Sequence, residues 1–463
     1  MWLLVALFAC SLPAVTTRIY ASDEVQYYSY LRSLWFDHDL AFENEYRYFY
    51  DSGTVRNPGF HATLLERETE AGQRINFGTI GCAILWAPFY AVGDLIARAM
   101  HALGRDVAVD GYSRPYIAAV CYASAFYGFA ALLLSMAAAR RLGFDATLAT
   151  LAVWFGTPLL FYMYVAPPMA HACSAFAVAL LVGVWLRIRV TWPIPGVAAI
   201  GAIAALTGMV REQDVLLACG PALDCLVWAA RSGAGSSRPG MRALIPRALA
   251  SAVAFAVVYL PQTIAYFVLN GHFGPSHLVT RKMTWTAPHA LQVLLSPEHG
   301  FLVWTPLALL AIAGLVWMAV SAAPTTTIDP VGLQRVAICM LLMIALQVYT
   351  AGSVESWTVA GAFGQRRFVA LTALLVIGLA GLQHCLTTRP AVRQLARVAA
   401  IVAVYWNLAL MAEFATGLMD RQRLEPARNA YDAFVTVPRM APDLAYRYLF
   451  NRASFYKKSA TER

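Results

Sequence analysis

Apolar stretches of about 20 residues, the length a helix needs to cross roughly 30 Å of hydrocarbon, recur along the whole chain. They fall near residues 1–17, 76–100, 115–139, 145–164, 168–186, 194–210, 214–230, 248–269, 300–320, 335–351, 367–385 and 398–416. Lipid offers no partner to a backbone amide, so a segment lying in it must bond to itself, as a helix does. The sequence therefore predicts an all-α polytopic membrane protein of about 11–13 transmembrane helices. Residues 1–463 are read as one domain, and residues 1–17 as a retained first helix. Only 13% of residues are charged, and the excess of 35 Lys+Arg over 26 Asp+Glu gives a net +9. In such a chain that excess belongs to cytoplasmic loops and anionic lipid headgroups, so membrane lipids are expected partners and nucleic acid is not. The eight cysteines form no CxxC or Cys/His pattern and read as small core residues, with no metal centre.

The basic connections at 140–141, 187–189, 231–247 and 389–397 are expected on the cytoplasmic side. Counting spans between them puts all four on one face and leaves 167–171, 211–214, 270–300, 351–366 and the 417–463 tail on the other. One segment breaks the parity. If 1–17 and 76–100 both span, Arg140-Arg141 falls on the wrong side. The sequence offers two solutions: 76–100, which contains Pro88 and Asp94, is a juxtamembrane or re-entrant helix, or it spans and another segment does not. Either way 18–75 is a long first outer loop, too large for a connector.

Acidic residues are scarce, so their placement carries information. Asp23 and Glu24 stand just beyond the first apolar segment, where carboxylates serve equally as a helix cap or as catalytic groups. On the same face gather Asp37-His38-Asp39, Glu43-Asn44-Glu45-Tyr46, Arg74 with Asn76, and His171 behind Pro167-Pro168. Further along come Arg211-Glu212-Gln213, Arg281, Lys282 and Trp285, Glu298-His299, and Trp357 with Gln365-Arg366-Arg367. Charge at membrane depth is costly and marks function by default. Carboxylates beside arginines suit removal of a proton from an acceptor while a phosphate is gripped. Trp and Tyr add flat surfaces for sugar rings and isoprenyl chains. Each has a plainer reading: Asp37-His38-Asp39 as a solvated face rather than a metal-binding D-x-D, Arg211 as a snorkelling side chain, the tryptophans as an interfacial belt. Arg366-Arg367 defy the charge rule, and an anionic ligand explains a pair of arginines on the outer face.

The ordered set Ser22-Asp23-Glu24-Val25, Asn44-Glu45-Tyr46, Arg74-Ile-Asn-Phe-Gly78, Ala87-Pro-Phe-Tyr90, Ser296-Pro-Glu-His-Gly300, Trp304-Thr-Pro306 and Phe363-Gly-Gln-Arg-Arg-Phe368 resembles the bacterial glycosyltransferase C superfamily. That superfamily includes protein O-mannosyltransferases and the lipid A aminoarabinose transferase. The resemblance spans most of the chain. It implies transfer of a sugar from a polyprenyl-phosphate carrier to a periplasmic glycan, lipid or protein acceptor, by an enzyme of the bacterial inner membrane. In it Asp23 would be the general base, Glu24 its support and Arg74 a contact to the carrier phosphate. His171 stands near where several relatives carry a second carboxylate, a departure that speaks against a carboxylate-only mechanism or a metal there. The resemblance fixes no cofactor and leaves a divalent cation open. The competing reading is a multispanning transporter, or a flippase or polymerase of lipid-linked oligosaccharides.

Overall fold

The computed structural model describes residues 1–230, 240–321, 330–359 and 361–455; the expected basic connection at 231–247 lies partly outside them. Among the described residues the protein is helical, its only extended pairings being isolated bridges between Glu68 and Arg74 and between Met283 and Val354. The main helices are α1 Trp2–Ser11, α2 Ser22–Arg32, α3 Glu43–Asp51, α4 Gly81–Ala102, α5 Arg114–Arg141, α6 Thr147–Gly156, α7 Leu159–Tyr164 and α8 Ala170–Ile188. They continue as α9 Ile194–Val210, α10 Cys219–Ala230, α11 Leu244–Asn270, α12 Leu307–Val320, α13 Pro330–Gly352, α14 Thr372–Cys385, α15 Pro390–Thr416 and α16 Val437–Phe450. Among the described residues, eight helices are long and apolar enough to cross a membrane, and four further apolar helices are shorter. Every apolar run of the sequence thus has its helix, and the chain is a multi-pass membrane protein in contact with lipid. Some runs are shortened by breaks: Thr157 leaves helical geometry before Pro158, and Thr305 does so before Pro306. A proline cannot donate to the preceding turn, and it disfavours helical geometry in the residue before it.

The helices α5 with α8, α9 with α11, and α12 with α14 form the largest contacts. The α12–α14 crossing brings backbones together. A Cβ on Gly314 would lie 1.8 Å from the Gly378 carbonyl oxygen, and one on Gly378 would lie 2.2 Å from that of Ala311. Hydrocarbon rewards helix contact chiefly through close packing, which small residues permit.

The long first loop is no loose connector. It folds into a second, aromatic core with Tyr28, Tyr30, Phe42, Tyr46, Phe49 and Phe60 buried, closed by Trp86 and Tyr90 of α4 and Tyr116 of α5. Residues near both ends of α4, Cys82 and Ala97, pack into this cap. Gly81 abuts the backbone of Met209 and Val210 at the end of α9. Past the middle of α4, Asp94 accepts a 2.6 Å hydrogen bond from Tyr116 in the first turn of α5. The following loop returns to the cap, where the Gly111 carbonyl accepts from Tyr28. Along its length α4 meets only the first half of α5, from Pro115 and Ala119 to Tyr127, which donates to Leu85 at 2.8 Å. By length and composition α4 could cross a membrane.

Candidate active site

Ala21 is extended (φ −114°, ψ 150°) and starts α2. The Glu24 carboxylate turns back and accepts from the backbone N–H of Tyr20 at 2.6 Å and of Ala21 at 3.1 Å. This is the returning half of a capping box, satisfying donors that the first helical turn leaves open. Glu24 is only 1% exposed. Burial pushes its carboxyl up to about 7, against the pull of the two backbone donors and with a smaller upward contribution from the Asp23 charge. The adjacent carboxylates therefore part company. Asp23 faces outward, half-exposed, and accepts from Arg366 at 2.6 Å.

Arg366 opens the 3₁₀ turn Arg366–Leu371 that leads into α14. Gly364 before it takes a positive φ of 61° and lies against Pro158, a conformation a side chain would oppose. Arg366 also reaches the Met169 sulfur at 3.7 Å. The second arginine comes from a different element. Arg211 adopts an extended conformation (φ −154°, ψ 118°) that ends α9, and its guanidinium donates to His171 Nδ1 at 3.1 Å. A guanidinium has no lone pair to offer, so Nδ1 is the acceptor and Nε2 carries the imidazole proton. His171 stands in the first turn of α8, its ring 4.4 Å from that of Tyr162. The N-terminus of α8 adds its own positive end to the arginines. Tyr27 of α2 lies in the same field: burial raises its phenol, the charges of Arg211 and Arg366 oppose the rise, and Asp23 reinforces it.

Beneath this cluster Asp214 is fully buried. It accepts from Ser174 at 2.5 Å and from Gln347 at 3.4 Å, and Gln347 also donates to the Arg367 carbonyl at 2.8 Å. Arg367 points away from Asp23: its guanidinium holds the Ser356 carbonyl at 3.0 Å and the Ser356 hydroxyl at 3.2 Å. Gln365 donates to the Trp357 carbonyl at 3.0 Å, and the Trp357 ring faces His289 at 5.4 Å. Gln365, Arg367 and Trp357 thus shape the loop that presents Arg366.

Several residues read from the sequence lie elsewhere. Arg74 pairs with Glu43 and Glu68, both at 3.2 Å. Glu45 is buried in the cap beside Arg32 at 2.9 Å, and Tyr46 donates to the Ile75 carbonyl at 3.1 Å. Asn76 donates to the Gln26 carbonyl at 2.9 Å. Asp37 is held by Arg32 and Asn44, and Asp39 by Ser33 Oγ at 2.7 Å, so their carboxylates already serve the loop fold. Lys282 covers the Phe77 ring at 4.5 Å, while Arg281, Trp285 and Glu298 are exposed. His299 is buried and held down to about 4 by that burial; it contacts the Ala362 carbonyl at 2.8 Å and stacks on Trp304 at 4.6 Å. Sequence reasoning missed Tyr27, Tyr162, Asp214 and Gln347. Gln347 carried the clearest signal, as an amide inside an apolar run.

No protein-family model matches the chain, and no curated protein matches it.

Proposed function

We propose that the chain is a glycosyltransferase of the bacterial inner membrane, moving a sugar from a polyprenyl-phosphate carrier to a periplasmic acceptor. The observation that carries this reading is the pairing of Asp23 with Arg366 beside Arg211, at a half-open position where the cap meets the helix ends. Arg366 at the start of α14 holds Asp23, and Arg211 at the end of α9 acts with it on Tyr27 of α2, the helix that bears Asp23. In the transfer step an acceptor O–H loses its proton to Asp23 as its oxygen bonds to the anomeric carbon. The bond from that carbon to the phosphate oxygen breaks, and its electron pair leaves with the phosphate. Arg366 and Arg211 neutralise the charge that develops there. A phosphate drawn to Arg366 competes with Asp23 for the guanidinium, so carrier binding frees the carboxylate to take the acceptor proton. Glu24 positions Asp23 through the α2 cap, and His171 orients Arg211.

The test is complementation of a deletion strain. Asp23→Asn is expected to enter the membrane at wild-type abundance and unfold at the wild-type temperature. Transfer should fall by about 10²-fold or more, the range general-base removal gives, with sugar-loaded carrier accumulating. Surface glycans indistinguishable from wild type in that strain would remove Asp23 from the chemistry.

A further inference from the structure

The turn that closes the first loop meets the segment after α11 at a point remote in sequence. Thr69 donates to the Leu269 carbonyl at the end of α11, and Gly271 then turns the chain at φ 75° toward Ala71. The segment His272–His277 folds back over Glu70. Its path is fixed by Asn270, which donates to the Gly274 carbonyl at 2.9 Å, and by Ser276, which caps the next turn through Leu278. Ligand-type atoms of Glu70, His272 and His277 all lie within 4.8 Å of one another.

We propose that Glu70, His272 and His277 form a divalent cation site of the zinc class. Two imidazoles and one carboxylate are the borderline donor set such an ion takes, with a fourth position left to water. Tetrahedral ligands at zinc distances stand about 3.4 Å apart, so small side-chain rotations close the set. The orientation of the donors supports the assignment. Glu70 is steered by the His277 backbone N–H at 3.1 Å and by the Ser276 hydroxyl at 3.4 Å, the kind of outer support that aims a metal-binding carboxylate. His272 Nε2 is the independent sign: it is buried and has no hydrogen-bond partner. A cation gives that nitrogen its partner, while exposed Glu70 and His277 leave a path from solution. The site would tie the first loop to the segment following α11, and it shares no residue with the Asp23 cluster.

Metal content tests it without any assay of transfer. The full chain in detergent is stripped with a chelator, loaded with zinc chloride, desalted and analysed for zinc by mass spectrometry. Stoichiometric zinc is expected for the wild type, with at least a tenfold loss of retention in His277→Ala and in Glu70→Gln. Loading with cobalt should give the visible absorption of a four-coordinate ion in the wild type only. His277 and Glu70 are surface residues, and unfolding temperatures of the stripped proteins would verify that both variants fold. Zinc retained equally by wild type and variants, or by none of them, would overturn the proposal.

Discussion

Asp23 and Glu24 are neighbours with separate occupations, and the division is made by one backbone angle. Because Ala21 is extended, the third residue of α2 reaches back to cap it, and the second is left facing Arg366. The buried cap has a pH signature. Glu24 holds its proton up to about pH 7 in the folded chain, against an ordinary value of 4.5. The folded state therefore binds more protons than the unfolded one between these values. Stability from this residue is full below pH 4.5 and lost as pH rises through 7. The shift corresponds to on the order of 3 kcal/mol. Glu45, also buried and raised to about 7, slopes the same way. Glu24→Gln keeps an amide oxygen for both backbone donors and removes the titration. Unfolding temperatures measured from about pH 5 to 8 should fall less steeply for this variant than for wild type; parallel curves would show that the cap does not titrate there. An acidic pair at a helix start was legible in the sequence. Its partition was not, because capping depends on the φ and ψ of the preceding residue.

Among elements, the α12–α14 crossing shows what close approach requires. Gly378→Ala places a methyl group against the backbone of α12, and overpacking of this kind costs roughly 1–3 kcal/mol. Gly183, in α8, has open space where its Cβ would go. There Gly→Ala restricts the unfolded chain and favours the helix, a gain of up to about 1 kcal/mol. The two alanine variants should shift the unfolding temperature in opposite directions, and a shift of equal sign would contradict the crossing. α14 is led in by the turn bearing Arg366, so Gly378→Ala is also expected to lower transfer. The helices themselves were readable from apolar runs, since hydrocarbon leaves the backbone one local solution. Which glycine meets which neighbour was not, because every face of a lipid-embedded helix is apolar and the pattern does not say what it touches.

At the scale of the whole molecule, α4 decides the topology. The sequence exposed the conflict, as charge parity failed when 76–100 was counted as a span; residues near both ends of α4, Cys82 and Ala97, pack into the cap core, and on a re-entrant path Arg105 would lie on the same side as Asp420. Single cysteines at exposed Arg105, Asp420 and Arg389, in a background with Cys10, Cys219 and Cys385 replaced by serine, make this measurable. An impermeant maleimide should label Arg105→Cys and Asp420→Cys from one side of the membrane and Arg389→Cys from the other. Labelling of Arg105→Cys together with Arg389→Cys would mean that α4 crosses. The polar turn between α9 and α10 bears on how the chain is made. Arg211 and Asp214 travel with this pair, but the groups that receive them belong to other helices: His171 and Ser174 on α8, already synthesised, and Gln347 on α13, 133 residues after Asp214. A nascent chain halted before α13 lacks the Gln347 donor that Asp214 has in the complete chain. Maturation in the bilayer is thus a late, joint event, and a truncated product ending ahead of α13 would carry the kind of defect that membrane proteases recognise.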